Sequence, residues 1–231
     1  MIKDFKKIEK ALGLKFKNKD LFRQAFVHRS YLNEHPDFAL DQNERLEFLG
    51  DAVLELVVTE NLYLNYPNPE GELTNWRAAL VNAKILSGIA KDLGMEEYLY
   101  LSHGEQKDTG KARQYILANT IEAVIGSTYL DCGWDKTKEF IEKYILVRLS
   151  EILDKKLYMD PKSHFQEMAQ EKVGVTPTYQ VLGESGPDHS KTFEIGVFLK
   201  DVMVGKGSGL SKQEAQESAA QNALENHGWN N

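Results

Sequence analysis

The spacing of apolar residues changes near Pro161 and divides the sequence into two parts of different architecture. From Lys3 to about Leu153 the apolar residues recur every three or four positions, and short polar turns such as Asn65–Gly71 separate the runs. This spacing is typical of packed amphipathic helices. After Pro161 several segments alternate or carry aromatic and β-branched residues, as strands do. The sequence therefore predicts a mainly α protein, with an all-helical domain followed by a small α+β domain.

Local signals predict where the helices of the first part begin. Asn18 or Asp20 can cap one helix, and Asp41 or Asn43 can cap the next, which starts near Glu44. Further helices are predicted over Thr74–Leu93, Lys111–Cys132 and Asp135–Leu153. We predict a domain of residues 1–153 and a linker of residues 154–160.

The second part, residues 161–229, has a different predicted order of elements. A helix over Ser163–Lys172 is followed by three strands and a last helix that Ser211 can cap, which gives the order α-β-β-β-α. The strands are predicted at Tyr179–Leu182, Thr192–Leu199 and Val202–Gly205. Gly205, Gly207 and Gly209 are expected to loosen the chain before Ser211. A phosphate-binding loop is the alternative for these glycines, but their spacing lacks the full fingerprint and no Lys-Ser/Thr pair follows.

Composition limits the kinds of partner and compartment. The 231 residues carry a formal charge of −7, so a polyanionic partner must be met by local clusters or a bound metal rather than by a generally basic surface. The single cysteine, Cys132, excludes an internal disulfide and fits a reducing compartment, and a buried apolar thiol is the favoured interpretation. No signal peptide and no bilayer-length apolar stretch is evident. We therefore expect a cytoplasmic protein without membrane contact.

Four acids lie on one stripe of the helix predicted to begin near Glu44. They are Glu44, Glu47, Asp51 and Glu55. The rest of that helix is strongly apolar, with a core-packed surface expected at Leu46, Leu49, Val53, Leu56 and Val57. Like charges at this spacing repel and raise each other's pKa unless a cation neutralises them. A solvated acidic face is the simpler alternative.

A second helix offers further oxygen ligands. Asn119 and Glu122 are three residues apart within an apolar run, so they share one helical face. All of these groups are oxygens, without His or Cys, which favours hard cations such as Mg²⁺ or Mn²⁺ over zinc. Such ions hold phosphate oxygens and activate water, which phosphodiester hydrolysis requires.

The segment Glu44–Leu54 resembles the signature of the ribonuclease III family, and Leu14–Leu21, His28–Tyr31, Gly71–Val81 and Glu122–Asp131 also fit that family. The resemblance covers nearly the whole chain. It implies a homodimeric, divalent-metal-dependent endonuclease of double-stranded RNA without an organic cofactor. Its two nuclease domains would form a valley, and each would cut one strand to leave short 3′ overhangs with 5′-phosphate and 3′-hydroxyl ends. Maturation of ribosomal RNA precursors and turnover of structured transcripts are the expected roles.

The resemblance also implies roles for individual residues of the first domain. Glu47, Asp51 and Glu122 form the central acidic site, with Asp51 and Glu122 catalytic and all three as metal ligands. Glu44 is a secondary acid near RNA or an outer-shell water, and Glu55 has no assigned role. Phe48 resembles a residue that inserts into the partner subunit, although core packing is the alternative.

Position 119 departs from the family pattern, in which many members carry Asp. An amide oxygen can still ligate a hard cation but supplies no negative charge, so weaker metal affinity is expected at Asn119. A non-cleaving RNA-binding regulator is therefore one alternative function. A dimeric assembly scaffold is another, but a scaffold does not require clustered acids.

Residues 161–229 resemble a double-stranded-RNA-binding domain, which reads A-form shape rather than base sequence. The positions that would contact RNA are Gln166, Glu167, His189, Ser190, Lys191 and Lys212. Residues 161–231 contain six Lys, no Arg and nine Asp plus Glu, which predicts modest binding with a shallow salt dependence. A protein-interaction variant of the domain is the alternative.

Overall fold

The computed structural model describes residues 3–187 and 191–229, and it divides into two compact units. One unit is Met1–Ile152 and the other is Leu153–Asn231. A helical domain followed by an α-β-β-β-α domain is confirmed. The domain limits 1–153, 154–160 and 161–229 stay predictions. No helix in the described ranges is long and apolar enough to cross a bilayer.

The first unit consists of helices joined by short turns. Its α-helices are α1 (Phe5–Ala11), α2 (Lys19–Gln24), α3 (Arg29–Glu34), α4 (Glu44–Asn65), α5 (Glu70–Leu80), α6 (Ala83–Asp92), α7 (His103–Lys107), α8 (Lys111–Cys132), α9 (Trp134–Tyr144) and α10 (Leu149–Asp154). Two 3₁₀ helices, Met95–Tyr98 and Leu146–Arg148, connect them. The helix over Lys111–Cys132 was predicted with its observed bounds. The segments predicted as Thr74–Leu93 and Asp135–Leu153 are each broken into shorter helices.

One of the two predicted capping sites works differently from expectation. The Asn18 side chain accepts hydrogen bonds from the backbone N–H groups of Asp20 and Leu21, as a capping residue does. Asn43 also precedes its helix, but its side chain makes no capping bond. Its buried amide instead donates to the carbonyl of Ala25 at 3.1 Å. The start of α4 is therefore fixed by a tertiary contact that no local sequence rule describes.

Helices α4 and α8 form the centre of the first unit. Gly50 on α4 packs against the backbone of Glu122, and Gly126 on α8 packs against the carbonyl of Leu46. A Cβ atom at either glycine would overlap that backbone, so only glycine allows this close crossing. Cys132, at the end of α8, is half-buried rather than fully buried, and burial raises the pKa of its thiol.

The second unit packs two helices, α11 (Pro161–Val173) and α12 (Lys212–His227), with an antiparallel sheet. Its strands are β1 (Thr178–Ser185), β2 (Thr192–Leu199) and β3 (Val202–Gly209), in the order β1-β2-β3. Ser211 caps α12 as predicted, because its side chain accepts from the N–H of Glu214. The apolar core includes Phe165, Ile195, Val197 and a row of alanines on α12.

The three glycines near residue 207 do not loosen the chain, and that expectation was wrong. Gly205, Gly207 and Gly209 all lie within β3, which is longer than predicted. A Cβ atom at any of them would overlap α12, mainly at its alanine face. The glycines and the alanines together let the helix lie directly on the sheet, since small residues permit close backbone approach.

Candidate active site

The crossing of α4 and α8 determines where the predicted site residues lie. Glu47 and Asp51 flank Gly50 on α4, and Glu122 lies one turn before Gly126 on α8. Both glycines lie where α4 and α8 touch. The carboxylates next to them are therefore close enough to interact electrostatically. The pKa of Glu122 responds to both Asp51 and Glu47. The close crossing therefore gathers acids that are about seventy residues apart in sequence.

Among these acids, Glu122 has the pKa that is raised most. Burial, and after it the negative charges of Asp51 and Glu47, raise the pKa of its carboxyl group to about 8. The side chain projects from the otherwise buried middle of α8, where neighbouring apolar residues replace water. A carboxyl group in such surroundings resists ionisation unless a positive charge compensates it.

Glu47 and Asn119 face each other across the two helices. Burial and the charges of Glu44 and Asp51 raise the pKa of Glu47, while the side chain of Asn119 counteracts the rise as a hydrogen-bond donor. Asn119 thus already interacts with one of the predicted ligands. With its amide turned the other way, its oxygen would face the same region.

The outer acids of the stripe have different surroundings. Asp51 and Glu55 are exposed, as expected for Glu55. Glu44 is also exposed and forms an ion pair with Arg29, with 3.7 Å between Oε1 and Nη1. Leu56, which was expected in the core, is 56% exposed, so the buried surface of α4 is narrower than predicted.

The kinds of side chain at the site indicate which metal ion they could bind. In residues 3–187 and 191–229, no three His, Cys, Asp or Glu side chains are already grouped as a closed metal-binding cluster. However, Glu47, Asp51 and Glu122 place like charges together, and two of them have raised pKa values. Carboxylate and amide oxygens are the ligands that Mg²⁺ and Mn²⁺ prefer. The residues therefore fit a hard cation in type and in charge.

Phe48 lies on a different side of α4 from the buried residues. It is 81% exposed, which rules out the core-packing alternative within this chain. Leu56 and Tyr63 follow it at spacings of eight and seven residues, so the three share one helical face. This exposed apolar face of α4 is the kind of surface that a second protein subunit covers.

The predicted RNA-contacting residues of the second unit form two groups. Gln166 and Lys212 line one groove between α11 and α12. The ammonium groups of Lys191 and Lys212 lie 5.9 and 5.7 Å from the ring centroid of Phe193. Glu167 is exposed on α11 and lines a second hollow together with Gln166. His189 and Ser190 lie outside the described residues.

The charges of this unit are partly neutralised within it. Lys191 Nζ lies 2.5 Å from Glu184 Oε2, and this bond lowers the pKa of Glu184. Lys206 is paired with Glu194. Lys162 donates to the Gln216 side chain at 2.6 Å. Because few cations are available to phosphate, the geometry is consistent with the modest electrostatics expected from composition.

A helical unit with a half-buried carboxylate centre, followed by an α-β-β-β-α unit, fits the class of two-domain RNA nucleases, and the comparisons with known proteins support that class. A family model described as ribonuclease-III-like matches residues 18–149, and one described as a double-stranded RNA binding motif matches residues 161–227. The chain belongs to the ribonuclease III family and is an endoribonuclease by its nuclease domain.

Individual relatives agree over nearly the full length. "Ribonuclease 3" of Natranaerobius thermophilus is 45% identical over 224 residues, covering 96% of each chain. "Ribonuclease 3" of Streptococcus gordonii is 42% identical over 225 residues, covering 95% of this chain and 97% of the relative. The crystal structure of the ribonuclease III nuclease domain from Campylobacter jejuni is 37% identical, with a TM-score of 0.57. It covers 64% of this chain and 97% of that one.

Sequence reasoning missed the role of the glycines that build the site. Gly50 lies between Glu47 and Asp51, and Gly126 lies four residues after Glu122. A glycine inside a strongly apolar helix lowers helix propensity and often indicates a close backbone approach. The two glycines beside the two groups of acids could have predicted the crossing.

Proposed function

We propose that this chain hydrolyses the phosphodiester bonds of double-stranded RNA with a divalent cation, Mg²⁺ or in its place Mn²⁺. The observation that carries the proposal is the Glu122 carboxyl group, whose pKa is raised by burial and by the charges of Asp51 and Glu47. Such an arrangement is unfavourable for the protein alone and favourable around a cation, which is the expected signature of a functional site.

The residues have distinct roles in this proposal. Glu47, Asp51 and Glu122 would hold the cation together with the side-chain oxygen of Asn119. When bound, the ion supplies charge neutralisation for phosphate and activation of water. Asp51 is exposed beside the half-buried Glu122, so its carboxylate can accept a hydrogen bond from the attacking water. Glu44, which forms an ion pair with Arg29 at the outer end of the stripe, would order solvent or approach RNA.

The α4 face supports a homodimer in which each subunit cuts one strand. Phe48 is almost fully exposed in the isolated chain, and its insertion into a partner subunit would remove this apolar surface from water. In a solved C. jejuni relative, one region is described as involved in dimer formation of the nuclease domain. Two symmetric sites suit a duplex with two equivalent backbones. The proposed products carry 5′-phosphate and 3′-hydroxyl ends with short 3′ overhangs.

The second domain would hold the duplex by its shape. Gln166 and Glu167 would approach one minor groove, and His189, Ser190 and Lys191 would approach the next. Lys212 lies exposed at the start of α12, where the helix dipole adds to its attraction for phosphate. Processing of ribosomal RNA precursors and turnover of structured transcripts in the cytoplasm are the proposed biological roles.

Incubation of the purified chain with long duplex RNA, in Mg²⁺ or in EDTA, tests the proposal. We expect cleavage in Mg²⁺ and none in EDTA, and loss of cleavage in the Glu122→Gln variant. Glu55→Gln is the matched control, because Glu55 is an exposed acid of the same stripe. Duplex binding without cleavage in Mg²⁺ would contradict the proposal and would mean that the site with the uncharged Asn119 does not retain the cation.

A further inference from the structure

The solvent-accessible strip of α8 extends beyond the two predicted ligands to Tyr115. Between Ile116 and Thr128 every residue of α8 is buried except Asn119 and Glu122. Tyr115 precedes them by four and seven residues, which places it on the same helical face. Its side chain is 59% exposed. The ligand face of α8 therefore continues directly into an exposed aromatic side chain.

The exposed face of α8 continues from Glu122 toward the start of the helix and is covered toward its end. One turn after Glu122, Gly126 is buried against the carbonyl of Leu46, where α4 crosses α8. Under the proposed function, a substrate strand that lies on the acids along α8 would be blocked at this crossing and would continue toward the start of the helix. Helical side chains lean toward the helix amino terminus, so the Tyr115 hydroxyl lies on the order of 10 Å from the acids along α8.

We infer that Tyr115 is a positioning residue whose phenol donates a hydrogen bond to a backbone phosphate flanking the scissile bond, an assignment that rests on the proposed function. The bases of a duplex are stacked inside it, so its backbone, and not its base faces, meets a side chain on this strip. The Tyr115 hydroxyl makes no hydrogen bond with any residue that the structure describes. A phenol is also a neutral donor, so it can contact phosphate without forming an ion pair with Glu122 or Asp51.

The hydroxyl group can be tested by Tyr115→Phe in the full-length chain, with duplex RNA and Mg²⁺. We expect KM to rise about tenfold, the effect of losing one hydrogen bond to a charged acceptor, while the rate at saturating RNA stays within about twofold. The slope of log affinity against log salt should not change, because a neutral phenol releases no counterion. Tyr129→Phe is the matched control, since Tyr129 is on the same helix beyond the Gly126 crossing, and it should behave as wild type.

Two further comparisons identify the contact. Tyr115→Ala should weaken binding as much as Tyr115→Phe does; a loss confined to Tyr115→Ala would assign the effect to the ring and overturn the inference. Among single methylphosphonate substitutions near the scissile bond, one should raise the KM of wild type about tenfold and leave the KM of Tyr115→Phe unchanged. An unchanged KM in Tyr115→Phe, with wild-type cleavage intact, would refute this assignment alone. Absence of Mg²⁺-dependent cleavage by wild type would instead overturn the proposed function and the assignment with it.

Discussion

Replacing Glu122 with Gln is expected to stabilise the metal-free protein at neutral and alkaline pH. The folded chain raises the pKa of Glu122 from 4.5 to about 8, so it binds this proton more tightly than the unfolded chain does. The free energy of unfolding therefore falls as pH rises from about 4.5 to about 8 and is flat above that range. Each unit of pKa difference corresponds to about 1.4 kcal/mol, which gives an upper limit of about 5 kcal/mol. Partial access of water to the carboxyl group reduces the expected effect to about 2–3 kcal/mol.

Urea unfolding in EDTA at pH 5 and pH 8, at one protein concentration, measures this effect. We expect wild type and Glu122→Gln to differ little at pH 5, where Glu122 is protonated in the folded chain, and the variant to be more stable by about 2–3 kcal/mol at pH 8. Addition of Mg²⁺ at pH 8 should then stabilise wild type and not the variant. Glu55→Gln should show neither effect. The free energies of unfolding of wild type and Glu122→Gln could instead differ equally at both pH values, or not differ at pH 8. Either result would refute the view that repulsion among the acids and burial of Glu122 destabilise the metal-free protein.

Four further predictions concern three single substitutions and one double substitution. Asn119→Asp should lower the Mg²⁺ concentration for half-maximal cleavage about tenfold, read from metal titrations; an unchanged titration would mean that this side chain does not reach the ion. Phe48→Ala should shift the sedimentation profile from dimer toward monomer without lowering helix content, and an unaltered profile would place the interface elsewhere. Gly126→Ala should lower the free energy of unfolding by about 1–3 kcal/mol or more, since its Cβ meets the Leu46 carbonyl. Lys191→Ala with Lys212→Ala should weaken duplex binding and flatten its salt dependence, and unchanged binding would exclude the proposed phosphate contacts.

The helices and strands were predictable where local chemistry decides them. The bounds of α8 and the caps at Asn18 and Ser211 follow from periodicity and capping preferences. The errors occur where a tertiary contact overrides the local signal. Asn43 bonds the Ala25 carbonyl rather than its own helix. Gly205 and its neighbours signal a loop when read alone, but they are strand residues because α12 lies on them.

The composition of the site was predictable, but its construction was not. The stripe on α4 and the pair on α8 identify the candidate ligands from spacing alone. What spacing cannot supply is the partner of each helix, and here that depends on Gly50 and Gly126. The burial of Glu122 follows from the same crossing, so its raised pKa required the tertiary structure. The exposure of Phe48 also depended on the fold, since an aromatic residue in an apolar helix is more often buried.

The charge distribution explains how a chain with a formal charge of −7 can act on a polyanion. The composition of the second domain predicts only modest electrostatic capture, and Lys191 and Lys206 are already paired with acids. Duplex selection must then depend mainly on shape, with affinity limited by the few phosphates that the domain neutralises. At the nuclease site the central side chains Glu47, Asp51 and Glu122 are all acidic, so we expect phosphate to approach them when a cation reverses the local potential. In this scheme the cation is required for productive docking as well as for hydrolysis. Binding of RNA to the acidic site should therefore depend on the metal, whereas binding to the second domain should not.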